Sequence, residues 1–244
     1  SLDNQTIGQP TVLNASVTKT NANCFGSSNG TITVSSPTGG GGTYQYRLDS
    51  GIWQNGGSFT GLAAATYSVQ IRDAVTTSCV VVLGSQIVTQ PAILNATVAK
   101  TNITCNGLTN GTITVSSPTG GGGTYEYRLD SGIWQNGGSF TGLSDATYSV
   151  QIRDAVTTSC VVVLGDQTIT EPVVLNLNVT KTDVMCNGES SGTISVTPFG
   201  GSLPYTYAWS DGPITTQNRV ALSSGSYTVT VTSAAGCIAT ATVS

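Results

Sequence analysis

An internal repeat of 81 residues constrains the fold of this chain more than any other feature of its sequence. Residues 30–84 and 111–165 align without a gap and differ at only three positions. A third copy has diverged further, but Cys24, Cys105 and Cys186 keep the spacing of 81 residues. Because self-similarity at a fixed period marks tandem structural units, the sequence predicts three repeats of about 80 residues.

The boundaries between the repeats have two interpretations. A division after Gly84 and Gly165 leaves no residue over. It gives three units, which span residues 1–84, 85–165 and 166–244. Each first strand then contains a proline, which an edge strand tolerates although the N–H is missing. The alternative places the boundaries at Pro91 and Pro172 and leaves residues 1–10 as a separate strand. We adopt the first division.

Each repeat has the pattern of a β-structure. Apolar residues alternate with Ser and Thr, which favours strands, and no segment has apolar residues at helical spacing over three turns. The alternation and the turn residues predict seven or so short strands in the first repeat. They lie at residues 13–17, 31–34, 44–48, around 53, 59–62, 67–71 and 79–83. This number of short strands is typical of an Ig-like sandwich.

A repeated tyrosine supports the sandwich. In every repeat a Leu is followed by a small residue three positions later, a Tyr five positions later and then a Val. This spacing resembles the tyrosine corner of Ig and fibronectin-like domains, whose hydroxyl bonds to backbone upstream. We interpret these tyrosines as structural: Tyr67, Tyr148 and Tyr227. Short linkers that lead into proline-containing strands limit bending. We therefore expect an all-β chain of three tandem Ig-like β-sandwich repeats in an elongated array.

Each repeat contains two cysteines. Since a repeat that folds on its own selects pairing within itself, we predict three internal bridges. They join Cys24 to Cys79, Cys105 to Cys160 and Cys186 to Cys237. Loops of this length give each bridge about 4 kcal/mol in the chain-entropy model. Disulfides imply an oxidising compartment. No Cys-x-x-C motif and no histidine occur, so we expect no zinc site.

Composition excludes several classes of function. Without histidine the chain has no Ser-His-Asp or Cys-His hydrolase site and no imidazole metal ligand. Charged residues make up 8% and the net charge is -4, which leaves no basic surface for nucleic acid or anionic lipid. The apolar runs are too short to insert into a membrane. Glu126, Glu171 and Glu189 occupy different repeat positions. We therefore expect no enzyme and no cofactor.

The segment that begins at the first cysteine resembles the SprB-type repeat. Residues 24–34 and 186–196 both contain its Cys-x-Gly-x-x-x-Gly opening. In the third repeat the resemblance continues through residues 200–212 and 222–227 and closes at Cys237. The first two repeats depart from it at Tyr-Gln-Tyr-Arg-Leu-Asp or Tyr-Glu-Tyr-Arg-Leu-Asp and before the second cysteine, so we expect specialised loops there.

This resemblance implies a location and a role. The family consists of very long surface adhesins of gliding Bacteroidota, exported by the type IX secretion system and carried along the cell surface. It implies an extracellular fragment attached to the outer membrane through its parent protein. The fragment would act as a disulfide-stapled stalk that projects an adhesive tip and transmits force in attachment or gliding motility. Its partners would be the neighbouring repeats of the same chain.

Three sets of side chains suggest further chemistry. Trp53 and Trp134 lie in identical Ser-Gly-Ile-Trp-Gln-Asn-Gly-Gly segments. They are candidates to stack on a surface polysaccharide, which makes a glycan-binding module the alternative function, and core packing is the structural interpretation. Strand-end lysines could form isopeptide bonds with Asn, although such lysines usually extend to solvent: Lys19, Lys100 and Lys181. Loop aspartates could hold calcium or only form turns: Asp49, Asp73, Asp130 and Asp154.

Overall fold

A computed structural model describes residues 7–244 and contains eighteen β-strands, six in each repeat. The first repeat contains β1 (Asn14–Thr20), β2 (Gly30–Thr38), β3 (Tyr44–Leu48), β4 (Ser58–Leu62), β5 (Ala65–Asp73) and β6 (Val80–Val88). The second contains β7 (Asn95–Thr101), β8 (Gly111–Thr119), β9 (Tyr125–Leu129), β10 (Ser139–Leu143), β11 (Ala146–Asp154) and β12 (Val161–Ile169). The third contains β13 (Asn176–Thr182), β14 (Gly192–Phe199), β15 (Tyr205–Trp209), β16 (Arg219–Leu222), β17 (Tyr227–Ser233) and β18 (Ile238–Val243). Within residues 7–244, no helix has the length and apolarity needed to cross a bilayer.

The expected seventh segment, around Trp53, is not a strand. It makes only an isolated antiparallel bridge between Tyr46 and Gln54. Glycines on both sides shorten it, because Gly51 closes a turn back onto Leu48 and the backbone bends again before β4. Each repeat therefore has six strands rather than seven.

Each repeat consists of two three-stranded antiparallel sheets. In the first repeat β2 lies between β1 and β4, and β5 lies between β3 and β6. This strand order is that of an Ig-like sandwich that lacks the fourth strand of one sheet. The prediction of an all-β chain built from three Ig-like repeats is confirmed.

The core lies between the two sheets. In the first repeat Ile32 from β2 meets Val69 and Ile71 from β5, and all three side chains are fully buried. The third repeat places Val196, Val229 and Val231 in a core of the same kind. Alternate residues of β5 and β17 are Thr, Ser, Gln or Arg and are partly exposed. The alternation of apolar and polar residues in the sequence therefore matches the inner and outer faces of the sheets.

Strand pairing distinguishes the two ends of a repeat. At one end β2 begins, where Gly30 pairs with Leu62, and β6 finishes, where Val88 pairs with Ala65. We call this the tail end. At the other end, the head end, Thr38 pairs with Asn14. The chain enters β1 at the head end and leaves β6 at the tail end, so strand direction fixes the end at which each loop lies.

The predicted cuts after Gly84 and Gly165 fall inside β6 and β12. Gly84 has a φ of 114°, and the β5–β6 register shifts beside it, which identifies a β-bulge rather than a strand end. Pairing continues as far as Val88 in the sheet of the first repeat. The strand pairing therefore favours the alternative boundaries at Pro91 and Pro172. Residues 1–6 of the predicted first unit lie outside the described residues.

Candidate functional site

The disulfides join successive repeats, and the predicted pairing within repeats is wrong. Cys24 of the first repeat bonds to Cys160 of the second, with a Cα–Cα distance of 5.4 Å. Cys105 of the second repeat bonds to Cys237 of the third, with a Cα–Cα distance of 5.5 Å. Cys79 and Cys186 are free thiols. None of the three predicted bridges is therefore present.

The reason lies in the two ends of the sandwich. Cys24 follows β1 and therefore lies at the tail end, whereas Cys79 precedes β6 and lies at the head end. The nine residues of β6 separate these ends. Such a strand spans about 30 Å, while a disulfide requires Cα atoms within about 7 Å. A bridge within one repeat is therefore geometrically impossible.

Both bridges have the same surroundings. In each bridge, the first cysteine lies in the loop after the first strand of its repeat. The backbone carbonyl of the residue before it contacts the sulfur of the cysteine to which it bonds in the following repeat. Asn23 O is 3.2 Å from Cys160 Sγ, and Thr104 O is 3.3 Å from Cys237 Sγ. The two bridges therefore have the same local geometry, which corresponding residues of successive repeats form.

The linker after each repeat holds the first-cysteine loop in place. Ala22 N donates to Thr89 O at 2.9 Å, and Ile103 N donates to Thr170 O at 3.0 Å. Ala22 and Ile103 are buried. A side chain of the linker adds a second bond, from Gly26 N to Gln90 Oε1 at 2.7 Å and from Gly107 N to Glu171 Oε2 at 2.8 Å. These bonds hold the loop in place independently of the disulfide.

The recurring aspartates bind backbone amides. Asp73 is buried, and its carboxylate accepts the N–H groups of Thr76, Gly41 and Val75. These bonds lower the pKa of Asp73, with the Thr76 amide as the largest cause. Asp154 makes the equivalent bonds, and the Thr157 amide is the main cause of its lowered pKa.

The other two loop aspartates also stabilise turns. Asp49 and Asp130 have positive φ angles near 50° and accept the N–H groups of Ser68 and Ser149 at 2.8 Å. Within residues 7–244 no group of three or more His, Cys, Asp or Glu could hold a metal ion. The hydrogen bonds to backbone amides thus support the turn-forming interpretation of these residues.

The two candidate sugar-binding tryptophans are half-buried beside arginines. Arg47 and Arg72 both place their guanidinium carbon 4.5 Å from the Trp53 ring centroid. Because these arginines alternate with the buried Tyr46 and Ile71, Trp53 lies on the outer face of its sheet. Arg128 lies 4.5 Å from the Trp134 ring in the same way. These tryptophans therefore stack on cations rather than pack in the core.

The predicted tyrosine corner is present in all three repeats. Tyr67 Oη donates to Ala63 O at 3.0 Å, Tyr148 Oη to Ser144 O at 3.2 Å, and Tyr227 Oη to Ser223 O at 3.0 Å. The rings of Tyr67 and Tyr227 pack against the cores of their repeats. Each hydroxyl closes the turn that leads into the central strand of its sheet, as the spacing predicts.

The strand-end lysines join the two sheets by hydrogen bonds. Lys19 Nζ donates to Ile87 O, Lys100 Nζ to Thr168 O and Lys181 Nζ to Ser244 O. In the first repeat this bond connects β1 of one sheet with β6 of the other. The acceptor is a backbone carbonyl rather than an Asn side chain, so the structure places these lysines in a hydrogen bond and not in an isopeptide geometry.

Comparison with known proteins identifies the repeats. The SprB repeat family model matches residues 16–51, 97–132 and 178–213, which confirms the resemblance seen in the sequence. Each of the three structural repeats therefore contains one segment that matches the SprB repeat. A search of curated protein sequences gave no match.

Two solved structures are similar in outline. One contains three N-terminal domains of the bacteriophage RB49 highly immunogenic outer capsid protein (Hoc), with 12% identity, 91% coverage of each chain and a TM-score of 0.39. The other, described as the structural basis for Dscam isoform specificity, has 9% identity and a TM-score of 0.27 and covers 96% of this chain and 73% of that chain.

Proposed function

We propose that this chain, with a SprB repeat in each of its three units, is a stalk segment of a cell-surface adhesin. The observation that carries the proposal is the pair of bridges between successive repeats. Each junction is crossed twice by covalent structure, once by the linker and once by the disulfide. Tension at a junction is therefore shared between two covalent connections, as a segment that transmits force requires.

The bridges also limit how far the chain can extend. The shortest covalent path from residue 1 to residue 244 passes through both disulfides, along residues 1–24, 160–105 and 237–244, and contains roughly 90 residues. The oxidised chain can therefore reach less than half the length of the reduced chain, even when every sandwich has unfolded. The sandwiches of such a stalk can unfold under load, but the stalk then extends only to this limit, which suits a role in projecting an adhesive tip.

Single-molecule pulling tests this role. The full chain, held at both termini, should reach a total contour length of about 310 Å when oxidised and about 850 Å when reduced. The variant with Cys24→Ser and Cys160→Ser is the matched control, because it opens one junction and keeps the other bridge. A contour length that does not change on reduction would contradict the force-bearing role.

Attachment through the outer membrane, export by the type IX system and gliding motility belong to the same proposal. They follow from the family resemblance and not from the geometry of the repeats. Expression of the parent protein with a tag in this segment, followed by surface labelling of intact cells, tests the location. Labelling that requires cell lysis would contradict it.

A second candidate function is glycan binding at Trp53 and Trp134. Its supporting observation is that both rings are partly exposed on the outer face of a sheet and lie beside arginines. Binding to an array of surface polysaccharides should then be lost when both residues are changed to alanine. The matched control is Tyr67→Phe, which removes a structural hydroxyl on a different part of the repeat. Binding that survives the tryptophan substitutions would exclude this site.

A further inference from the structure

One sequence difference between the first two repeats lies on the sheet face that carries the candidate glycan-binding tryptophan. Residues 30–84 and 111–165 differ at three positions, at which Gln45, Ala63 and Ala64 correspond to Glu126, Ser144 and Asp145. Gln45 and Glu126 alternate with core residues of β3 and β9 and therefore lie on the outer face. The other two differences lie in the turn before β5 or β11. Within the aligned residues, a single side chain therefore distinguishes the two outer faces.

In the first repeat the outer face carries two arginines that bond to neutral amides. Arg47 Nε donates to Gln70 Oε1 at 2.9 Å. Arg72 donates to Gln45 Oε1 from Nε, at 2.8 Å, and from Nη2. Among residues 7–244 neither guanidinium forms an ion pair. Both positive charges therefore lack a counter-ion in the part of the chain that the structure describes, and Arg47 has both Nη groups available for an acceptor.

The second repeat has the same geometry with a carboxylate in place of the amide. Arg153 donates to Glu126 Oε2 from Nε and from Nη2, both at 2.6 Å. The carboxylate of Glu126 thus supplies the counter-ion that Arg72 lacks in the first repeat. It would also repel a second carboxylate that approached the same guanidinium. An anionic ligand should therefore prefer the outer face of the first repeat.

Gln45 also connects the arginines to the tryptophan loop. Its Nε2 donates to Asn55 Oδ1 at 2.9 Å, two residues after Trp53. A carboxylate has no N–H group, so Glu126 cannot form the equivalent bond. The bond directs the Asn55 carbonyl toward Gln45. The Asn55 amide N–H groups have no acceptor among the described residues, so they are available to a ligand.

Apolar surface lies beside these polar groups. The Trp53 ring is partly exposed, with both guanidinium carbons 4.5 Å from its centroid. On the neighbouring strand β6, Val80 and Val82 pair with Arg72 and Gln70 and are 42% and 59% exposed. Sugar-binding surfaces combine apolar area for the C–H groups of the ring with a few polar groups that fix its orientation. The first repeat presents both on one face.

We propose that the first repeat binds a uronate-containing polysaccharide on its Trp53 face, which consists of Gln45, Arg47, Trp53, Asn55 and Arg72. The sugar ring packs on the indole, and its carboxylate accepts N–H groups from the two arginines. A uronate suits this face because its planar carboxylate is attached directly to the ring, and guanidinium groups bind planar carboxylates through two parallel hydrogen bonds. The inference rests on the glycan-binding candidate and is independent of the stalk role.

Calorimetric titration of the full chain with tetragalacturonate at low salt tests the proposal. The matched ligand is the same tetrasaccharide with its carboxylates methyl-esterified, which keeps the rings and removes the charge. The ester should bind at least about five-fold more weakly than the acid, because it lacks the attraction to the two arginines. Gln45→Glu gives the first repeat the side chain that the second repeat already accommodates. It should weaken binding of the acid at least about five-fold and leave binding of the ester unchanged.

Two further variants control for net charge and for folding. Ala64→Asp introduces another of the natural differences and adds the same charge, but eight residues of β5 separate it from Arg72, which is about 26 Å. Its effect on binding should be less than about two-fold. Glu126→Gln, added to the chain with Gln45→Glu, should transfer the site to the second repeat and restore the affinity to within about two-fold of the original chain. Trp134→Ala should then abolish the restored binding, and Trp53→Ala should not.

The contrary outcomes separate this inference from glycan binding in general. If acid and ester bind equally and Trp53→Ala abolishes both, glycan binding stands and the preference for uronates is overturned. If neither ligand binds, the uronate site is overturned, and the polysaccharide array decides glycan binding separately. Equal losses in Gln45→Glu and Ala64→Asp would replace the site with a general effect of net charge. A sulfated tetrasaccharide that binds more tightly than tetragalacturonate would overturn the assignment to a carboxylate.

Discussion

The first and third repeats have the same sandwich but use their tryptophan in opposite places. In the first repeat Trp53 lies on the outer face of a sheet, on the guanidinium groups of Arg47 and Arg72. In the third repeat Trp209 lies in the core, 5% exposed, and its indole N–H donates to Thr216 O at 2.9 Å. The position of Trp209 in β15 corresponds to that of Leu48 in β3.

This difference shows which parts of the repeat are free to vary. The central strands of both sheets keep the same pattern of buried residues in the two repeats. The loop between the third and fourth strands changes completely. In the third repeat Arg219 lies 5.2 Å from the Trp209 ring and forms two hydrogen bonds to Asp211 at 2.8 and 2.7 Å. Stacking of an arginine on a tryptophan is thus kept while the site moves from surface to core.

Substitution of the two tryptophans should give the largest contrast. Trp209→Ala removes a large buried side chain and should destabilise the third repeat by about 3–5 kcal/mol. Trp53→Ala removes an outer-face stack and should cost the first repeat only about 1 kcal/mol. Hydrogen exchange followed by mass spectrometry measures both, because peptides with Gln45 or Ala63 identify the first repeat. Equal losses of protection would show that Trp53 also supports a core.

The tail end of the first repeat should show the next largest effect. Val88 is buried there, and Val88→Ala leaves a cavity beside Gly30. The loss of packing should destabilise the first repeat by about 2 kcal/mol, and hydrogen exchange at β2 and β6 should accelerate. Ile87→Ala, at an exposed neighbouring position, is the control and should have little effect. If Val88→Ala leaves exchange unchanged, the tail-end space is not a packed site.

Acid should affect the first two repeats more than the third. Backbone amides, that of Thr76 above all, hold the pKa of Asp73 below its ordinary value of 3.8. A group with a lowered pKa in the folded state stabilises the fold above the unfolded pKa, and this contribution is lost as the pH falls through the folded value. Ser233 occupies the equivalent position in the third repeat and does not titrate in this range. The first repeat should therefore lose stability below about pH 4. In the third repeat the hydrogen bond from Arg219 lowers the pKa of Asp211, but this ion pair is partly exposed, so the loss there should be smaller.

NMR signals of the full chain, recorded from pH 6 to pH 2, can resolve this difference. Asp73→Asn should lower the melting temperature of the first repeat by about 5 °C or more at neutral pH. The same substitution should remove the acid dependence of that repeat. An acid dependence that persists in the variant would assign it to another carboxylate.

The sandwich could be predicted from the sequence because its signals are local. Alternation along β2 and β5, the tyrosine spacing and the turn glycines each act within about ten residues. The cysteine pairing is not local, since it depends on the end of the sandwich that each loop reaches. The strand order does contain that information. Four strands lie between Cys24 and Cys79, but β3 and β4 run in the same direction, so the two cysteines lie at opposite ends. The predicted pairing was wrong because it assumed that each repeat closes its own bridge.

The bulge at Gly84 and the tryptophan environment were missed for other reasons. A glycine with positive φ marks a strand end and a bulge equally well, and only the pairing of Val88 distinguishes them. The stacking of Arg47 and Arg72 on Trp53 needs three separate segments to meet on one outer face. Composition and spacing do not show which segments meet on one face. The sequence was therefore compatible with both core packing and glycan binding of the Trp53 ring.

The smallest expected effect compares the first two repeats, which differ in one charge on the same outer face. Arg72 donates to Gln45 in the first repeat, at 2.8 Å from Nε. In the second repeat Glu126 replaces Gln45 and forms an ion pair with Arg153, with an N–O distance of 2.6 Å. Both side chains are partly exposed, so solvent screens the pair. Glu126→Gln should therefore destabilise the second repeat by no more than about 0.5 kcal/mol at low salt, and this difference should vanish near 1 M salt. Chemical denaturation with urea, which adds no salt, measures it. A loss above about 1 kcal/mol would mean that the ion pair, and not the shared sheet, makes the second repeat stable.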